Sequence, residues 1–282
     1  MSFIAIIGAG PLGGAIAHKL AARDRVSEVR LIDDEGSIAE GKALDITQSA
    51  PIEGFSTRLS GGGSIMMAAG AAVIVVADRA GGGEEYSAES GLALLRQLAR
   101  FDSATPVVFG GATQLGLLRH AAFELRMHPA RLMGSAPLAL ESALRALAGL
   151  TVDGTGVEVS LRVVGVPPRR AVVGWEEASA FGQPLSSQMA AHEIAALGSR
   201  IPGLWPPGPY ALASAATRVI EAIASGSRRR FSCFVALGRD QAGAMPVELG
   251  PDGVARIIEP TLTRQERTLL DNALERNPRR EV

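Results

Sequence analysis

The stretch that most restricts the fold is FIAIIGAGPLGGAIAHKLA, residues 3–21. An apolar run leads into Gly8, Gly10 and Gly13 in G-x-G-x-x-G spacing, and a helical pattern follows. Such a turn needs glycine for three separate reasons. Gly8 permits the tight turn, Gly10 lets the backbone approach a diphosphate, and Gly13 lets the helix pack close to the strand. With Pro11 and Leu12 opening the helix, the free amides of its first turn would face an anion. The next apolar run, EVRLIDDE, ends in Asp33. A carboxylate there accepts hydrogen bonds from a ribose diol and repels a 2′-phosphate, so the expected cofactor is NAD. The expected cofactor residues are therefore Gly8, Gly10, Pro11, Leu12, Gly13 and Asp33. A glycine-rich turn that binds nothing stays open as the other reading.

The rest of the first half keeps the alternation. Strands are expected at 2–7, 28–32, 56–59, 72–77 and 106–109, with helices at 12–22, 38–48, 90–101 and 114–125. Several strands are apolar throughout, as when helices cover both faces of a parallel sheet. The pattern changes after about Met133. A helix at 138–147 precedes the long run 156–173, in which a strand at 157–165 breaks at Pro167 and Pro168. Helices at 188–197 and 210–225, strands at 231–237, 244–249 and 254–258, and a helix at 263–276 complete the chain. Thr263 and Glu266 form a capping box. The expected division is 1–133, a dinucleotide-binding part built on a doubly wound parallel sheet of Rossmann type, and 134–282, an α+β part. Disorder is expected only in the terminal ERNPRREV.

Composition excludes several function classes. A formal net charge of −1 gives no global attraction to nucleic acid or to a membrane surface, and 4% aromatic residues leave few base-stacking platforms. One cysteine, Cys233, permits no intrachain disulfide and no cysteine-built zinc site. The longest uncharged apolar run, 65–77, is shorter than the roughly 20 residues of a spanning helix. No signal peptide is read at the start, and a cytoplasmic location is the expectation.

Beyond Asp33, the stretch EGSIAEGKALDITQSAPIEGF resembles the lactate/malate dehydrogenase family, whose acidic strand end is followed by "eGkaLDi.qs.p". The later stretches GPYALASAATRVIEAIASG and PVELGPDGVARIIEPTLTRQE are similar to the family's closing region. The resemblance covers nearly the whole chain. It implies a Rossmann half followed by a mixed α+β substrate half, NAD as cofactor, a small-molecule 2-hydroxy acid as substrate, and a dimer or tetramer.

The same resemblance exposes departures. The family's "G-x-H-G-(D/E)" turn carries the histidine that takes the hydroxyl proton; here it reads GVPPR, with Pro167 in the histidine's place. The "LDsaRfR" helix supplies an aspartate and a carboxylate-binding arginine; here it is APLALESALRALAG, which puts Leu140 or Glu141 at the aspartate and Ala143 or Leu144 at the arginine, with Arg145 nearby but pointing elsewhere. The loop "AG.PRkpGmsR" is replaced by ADRAGGGEEYSAES, which retains Arg79 and adds Glu84 and Glu85. The "tNP" phrase becomes FGGAT, with Gly110 and Gly111. General acid–base help is worth about 10²–10⁴ in rate, so hydroxy-acid oxidation by the family route would be very slow.

Arg79, Arg169, Arg170 and His192 remain as candidate replacements. Residues 228–230 are three arginines at a helix end, where positive charge complements the macrodipole. Three functions stay open: a catalytically degenerate NAD(H)-binding protein, an oxidoreductase using those replacements on an unusual substrate, and an interaction or structural protein with an empty cofactor cleft.

Overall fold

The computed structural model describes residues 3–101, 104–238 and 240–275. The first half runs β1 (Ile4–Ile7), α1 (Pro11–Arg23), β2 (Glu28–Ile32), α2 (Gly36–Glu53), β3 (Arg58–Gly62), β4 (Val73–Val76), α3 (Ala88–Phe101), β5 (Val107–Phe109), α4 (Leu115–Phe123) and β6 (Leu132–Gly134). The second half continues with α5 (Ala136–Thr151), β7 (Val159–Ser160), β8 (Val163–Val166), β9 (Arg170–Val173), β10 (Ser179–Ala180), β11 (Gln183–Pro184), α6 (Ala191–Arg200) and α7 (Pro209–Ala224). It ends with β12 (Arg230–Gly238), β13 (Gln241–Gly250), β14 (Gly253–Ile257) and α8 (Arg264–Glu275).

The first six strands form a parallel sheet in the order β3-β2-β1-β4-β5-β6. The order reverses at β1, where the chain leaves in one direction to β2 and β3 and returns to β4 on the other side. In such sheets the crevice beyond the strands' carboxyl ends, at the reversal, is where ligands bind. Burial of β1, β4 and β5 on both faces explains why they are apolar throughout. The sheet changes character at β6, which is parallel to β5 and antiparallel to β12 through Gly134 and Phe234. From there β12, β13, β8 and β9 continue antiparallel, and β14 pairs with β13. A large apolar cluster spans the parallel sheet, its helices and β12–β13, and a smaller one lies between α5, β7, β10 and α6.

Three of the differences from the expected elements have a visible reason. The third strand begins at Arg58 rather than at 56, because the Asp24 carboxylate takes the amides of Ser56 and Thr57, both at 2.9 Å, and keeps them out of the sheet ladder. The expected strand 157–165 divides, since β7 pairs with β10 in a separate three-stranded sheet while β8 pairs with β9 and β13. Helix α6 starts at Ala191, where Glu193 reaches back to the amide of Ala190 at 2.8 Å. The capping box at α8 is present: Thr263 and Glu266 exchange bonds of 2.8 and 3.2 Å. Ser2, Arg276 and the tail 276–282 lie outside the described residues. No helix among the described residues is long and apolar enough to cross a membrane.

Candidate functional site: a cleft filled by its own carboxylates

The glycine turn adopts the shape its spacing demands. Gly8 has a φ of 109°, and a side chain there would press on the backbone of Asp78. A Cβ on Gly13 would strike the Gly8 carbonyl inside 3.0 Å, so this position sets the approach of α1 to β1. Helix α1 then opens at Gly10 with no side-chain cap and no acidic residue in its first turn. Four amides at a helix start need partners from elsewhere.

Asp78 supplies two of them. Its carboxylate accepts the amides of Leu12 at 2.9 Å and Gly13 at 2.8 Å, and the Asp78 carbonyl accepts the amide of Gly10 at 2.9 Å. Asp78 is only 3% exposed. Burial pushes its carboxyl above the ordinary value, against the pull of the Leu12 and Gly13 amides and of Lys42. The Lys42 ammonium donates to the Gly10 carbonyl at 3.0 Å. A Cβ on Gly10 would run into the Asp78 carboxyl group rather than into open space. An intramolecular anion therefore sits on the amides that a diphosphate would use. Asp78 directly follows Ala77, so it stands where the family phrase "AG" has glycine.

Asp33 is engaged as well. One oxygen accepts the amides of Ala9 at 2.7 Å and Ala80 at 2.9 Å, and the other accepts that of Glu35 at 3.0 Å. A carboxylate offers about four acceptor positions; a ribose diol would find three of them in use.

The segment between Asp78 and Glu85 folds back as a tight turn, with a bridge between those two residues and a 2.8 Å bond from the Arg79 amide to the Glu84 carbonyl. Buried Gln114 fastens its base, donating to the carbonyls of Ala77 at 3.0 Å and Tyr86 at 3.2 Å. Glu85 then reaches the turn after β5. It accepts the amides of Ala112 at 2.8 Å and Thr113 at 2.7 Å, and the Thr113 hydroxyl at 2.6 Å. This is the FGGAT turn, and the absence of a side chain on Gly111 makes room for the Glu85 carboxylate. A cavity of about 250 Å³ remains beside this plug, lined by Ile32, Asp34, Arg79, Tyr86 and Leu94 among others. Burial, then Asp34 and Asp33, push the Tyr86 hydroxyl up to about 12.

The proposed replacements do not converge. Arg79 lies at this cavity, 4.0 Å from Asp34. Arg169 is exposed on the turn between β8 and β9, and Arg170 donates to the Ala273 carbonyl of α8 at 3.0 Å. His192 is exposed on α6. Pro167 occupies the tip of the β8–β9 hairpin. On α5, Glu141 is wholly buried; it accepts from Arg162 at 2.8 Å and from the Ser232 hydroxyl at 2.6 Å. Burial raises its carboxyl, while Arg162 and Ser232 pull it down. Arg145 turns away, donating to the Val159 carbonyl at 2.6 Å. Glu141 is thus an ion-pair anchor on α5, the helix that resembles the family's aspartate helix. Among the described residues no His, Cys, Asp and Glu group is placed to hold a metal ion.

The roles of Asp78, Glu85, Gln114 and the Glu141–Arg162 pair were not read from the sequence. For Asp78 a signal existed: a charged residue directly ends a strand of unbroken apolar character, one step from the glycine turn.

The parallel sheet, its reversal at β1 and the glycine turn define a doubly wound α/β protein of Rossmann type. No family model matches the chain. Malate dehydrogenase of Desulforudis audaxviator is 26% identical over 96% of this chain and 94% of its own length. That of Pelagibacter ubique is 46% identical over 61 residues, 22% of this chain and 19% of its own. Malate dehydrogenase of Aeropyrum pernix superposes with a TM-score of 0.88 at 22% identity, over 96% of this chain and 95% of that one. Lactate dehydrogenase of Cryptosporidium parvum, complexed with lactic acid and nicotinamide adenine dinucleotide, gives 0.86 at 21% identity over 96% and 94%. The chain is thus similar over nearly its whole length to malate dehydrogenases in sequence, and it shares the fold of malate and lactate dehydrogenases.

Two outcomes are expected. Removing one member of a buried ion pair costs about 3–5 kcal/mol; Arg162 is partly exposed, so Arg162→Ala should cost about 2–3 kcal/mol in urea unfolding, and Glu141→Gln less. The folded chain holds the Asp78 proton more tightly than the unfolded chain does, so ionising Asp78 costs folding free energy. Stability measured relative to Asp78→Asn should therefore fall as pH rises from 3.8, the group's ordinary value, through its raised folded value.

Proposed function

We propose that this chain is a non-catalytic member of its family, with a dinucleotide cleft closed by its own carboxylates, and that it acts as a binding or structural subunit. The observation that carries this reading is the Asp78 carboxylate on the Leu12 and Gly13 amides. Gly8, Gly10, Pro11, Leu12, Gly13 and Asp33 are the residues that would hold NAD, but the amides of Gly10, Leu12 and Gly13 and three acceptor positions of Asp33 are already engaged. A diphosphate would have to displace Asp78 or sit beside it. Like charges about 4 Å apart repel by about 4 kcal/mol at an effective dielectric of 20, roughly a thousandfold in affinity. The arrangement does not fit the cofactor, and no hydride step is assigned through it.

The second half supports the same reading. Pro167 has no proton to exchange, and Glu141 is committed to Arg162 and Ser232. Arg79, Arg169, Arg170 and His192 stand apart, so the reading of an active oxidoreductase built on them has no shared site behind it. The remaining cavity of about 250 Å³ supports one further possibility for the same cleft, a small ring-sized ligand that carries no diphosphate. Assembly with copies of itself, as dimer or tetramer, is proposed from family likeness; exposed Leu44 and Ile52 on α2 and Tyr210 on α7 offer apolar surface for it. A cytoplasmic location is likewise proposed.

Calorimetric titration with NADH tests the central part. The wild-type chain should show no binding up to about 1 mM, and Asp78→Gly should gain at least about tenfold in affinity. Micromolar binding by the wild type, or brisk reduction of oxaloacetate or pyruvate, would overturn the proposal.

A further inference from the structure

At the end of the parallel sheet opposite the cleft, guanidinium groups crowd around too few carboxylates. Glu221 of α7, only 7% exposed, takes Arg23 in a two-pronged pair whose second bond is 3.0 Å. Arg25 lies 3.7 Å and Arg218 3.8 Å from the same carboxylate. Arg229, exposed on the turn after α7, has no acidic partner within 4.0 Å among the described residues. Its chain neighbours Arg228 and Arg230 share Glu248 with Arg256, at 3.1, 4.0 and 3.5 Å. Seven arginines thus face two glutamates, on a chain whose formal net charge is −1.

Helix ends account for part of this excess. Helices α1 and α7 both finish here, and each contributes roughly half a negative charge. Arginines still outnumber the two glutamates they pair with. Burial, and next the neighbouring Arg229 and Arg23 groups, lower the Arg218 guanidinium from its ordinary value, so the crowding works against the charged state.

The crowd surrounds a hollow. A cavity of about 570 Å³ opens between the turn after α1, with Arg25 and Ser27, and the end of α7, with Ser225, Ser227 and Arg229. Sites for small ligands span about 300–1,000 Å³; Glu221 also lines this cavity, its carboxylate already taken by Arg23, while Arg25 and Arg229 stand exposed at the cavity. Guanidinium forks match phosphate oxygens two at a time. No aromatic side chain lines the cavity, so nothing there would stack on a base.

We propose that this cavity is an anion site for an oligophosphate, gripped through its phosphates by Arg25 and Arg229, and independent of the closed cleft. The ligand chemistry is a run of phosphate groups, whether inorganic or carried by a nucleotide.

Calorimetry with inorganic triphosphate at low salt tests it, on the full chain. One-to-one binding is expected, weakened at least about tenfold in Arg25→Ala/Arg229→Ala and unchanged in Arg79→Ala at the cleft. Both residues are exposed, so the double variant should keep its circular dichroism; Arg25→Lys/Arg229→Lys should fall in between, because it retains charge and loses the fork. ATP binding as tightly as triphosphate assigns the site to phosphates from either source, and triphosphate alone binding assigns it to the inorganic form. No heat at about 1 mM triphosphate, a titration unmoved by the double alanine variant, or displacement by a short single-stranded DNA far below the triphosphate concentration would overturn the proposal.

Discussion

The amides of Leu12 and Gly13 point out of the start of α1 with no partner in their own helix, and what satisfies them decides what the cleft can hold. In a helix start of this kind an anion is strongly favoured, because unpaired donors and the helix dipole act together. Here the anion is covalently part of the chain: the carboxylate of Asp78, held within 2.9 Å of both amides. An attached group has an effective concentration that a free ligand rarely matches, since it loses no translational freedom on binding. Burying that carboxylate has a cost, visible in its raised carboxyl, and the two amides and nearby Lys42 offset it. Asp33 and Glu85 extend the same principle along the cleft, each carboxylate meeting backbone amides that ligand oxygens would otherwise use.

The second half of the chain follows a related logic. Proton transfer needs a group that can gain and lose a proton within reach of substrate. Glu141 is buried, paired and hydrogen-bonded, which makes it a strut between α5, the segment before β8 and β12 rather than an acid–base partner. Pro167, which has no proton to exchange, and Asp78, seated on the Leu12 and Gly13 amides, lie in different parts of the chain. The fold shared with malate dehydrogenase over 96% of the chain does not by itself decide function.

Much of that scaffold was legible in the residues. Apolar β1, β4 and β5, the glycine turn and the capping box at Thr263 and Glu266 report local requirements, and local requirements can be read from a linear pattern. The start of β3 was misplaced because Asp24 acts on it across more than thirty residues of chain. The state of the cleft was hidden for the same reason: Asp78 and Leu12 are 66 residues apart, and Glu85 and Ala112 are 27 apart. Gly8, Gly10, Gly13 and Asp33 announce a turn able to receive an anion without saying which anion is there. The arginine crowd was likewise divided in the sequence between the end of α1, the end of α7 and β14, and three consecutive arginines alone looked like helix-end charge compensation.

The most direct measurement is a pH titration of the Leu12 and Gly13 backbone amides by NMR. With Asp78 seated on them, both resonances should move together, with a single midpoint above the ordinary carboxyl value of 3.8, and the movement should vanish in Asp78→Asn. Amides that ignore pH through the carboxyl range, yet shift on addition of NADH to the wild-type chain, would show the cleft to be open and the assignment of Asp78 to be mistaken.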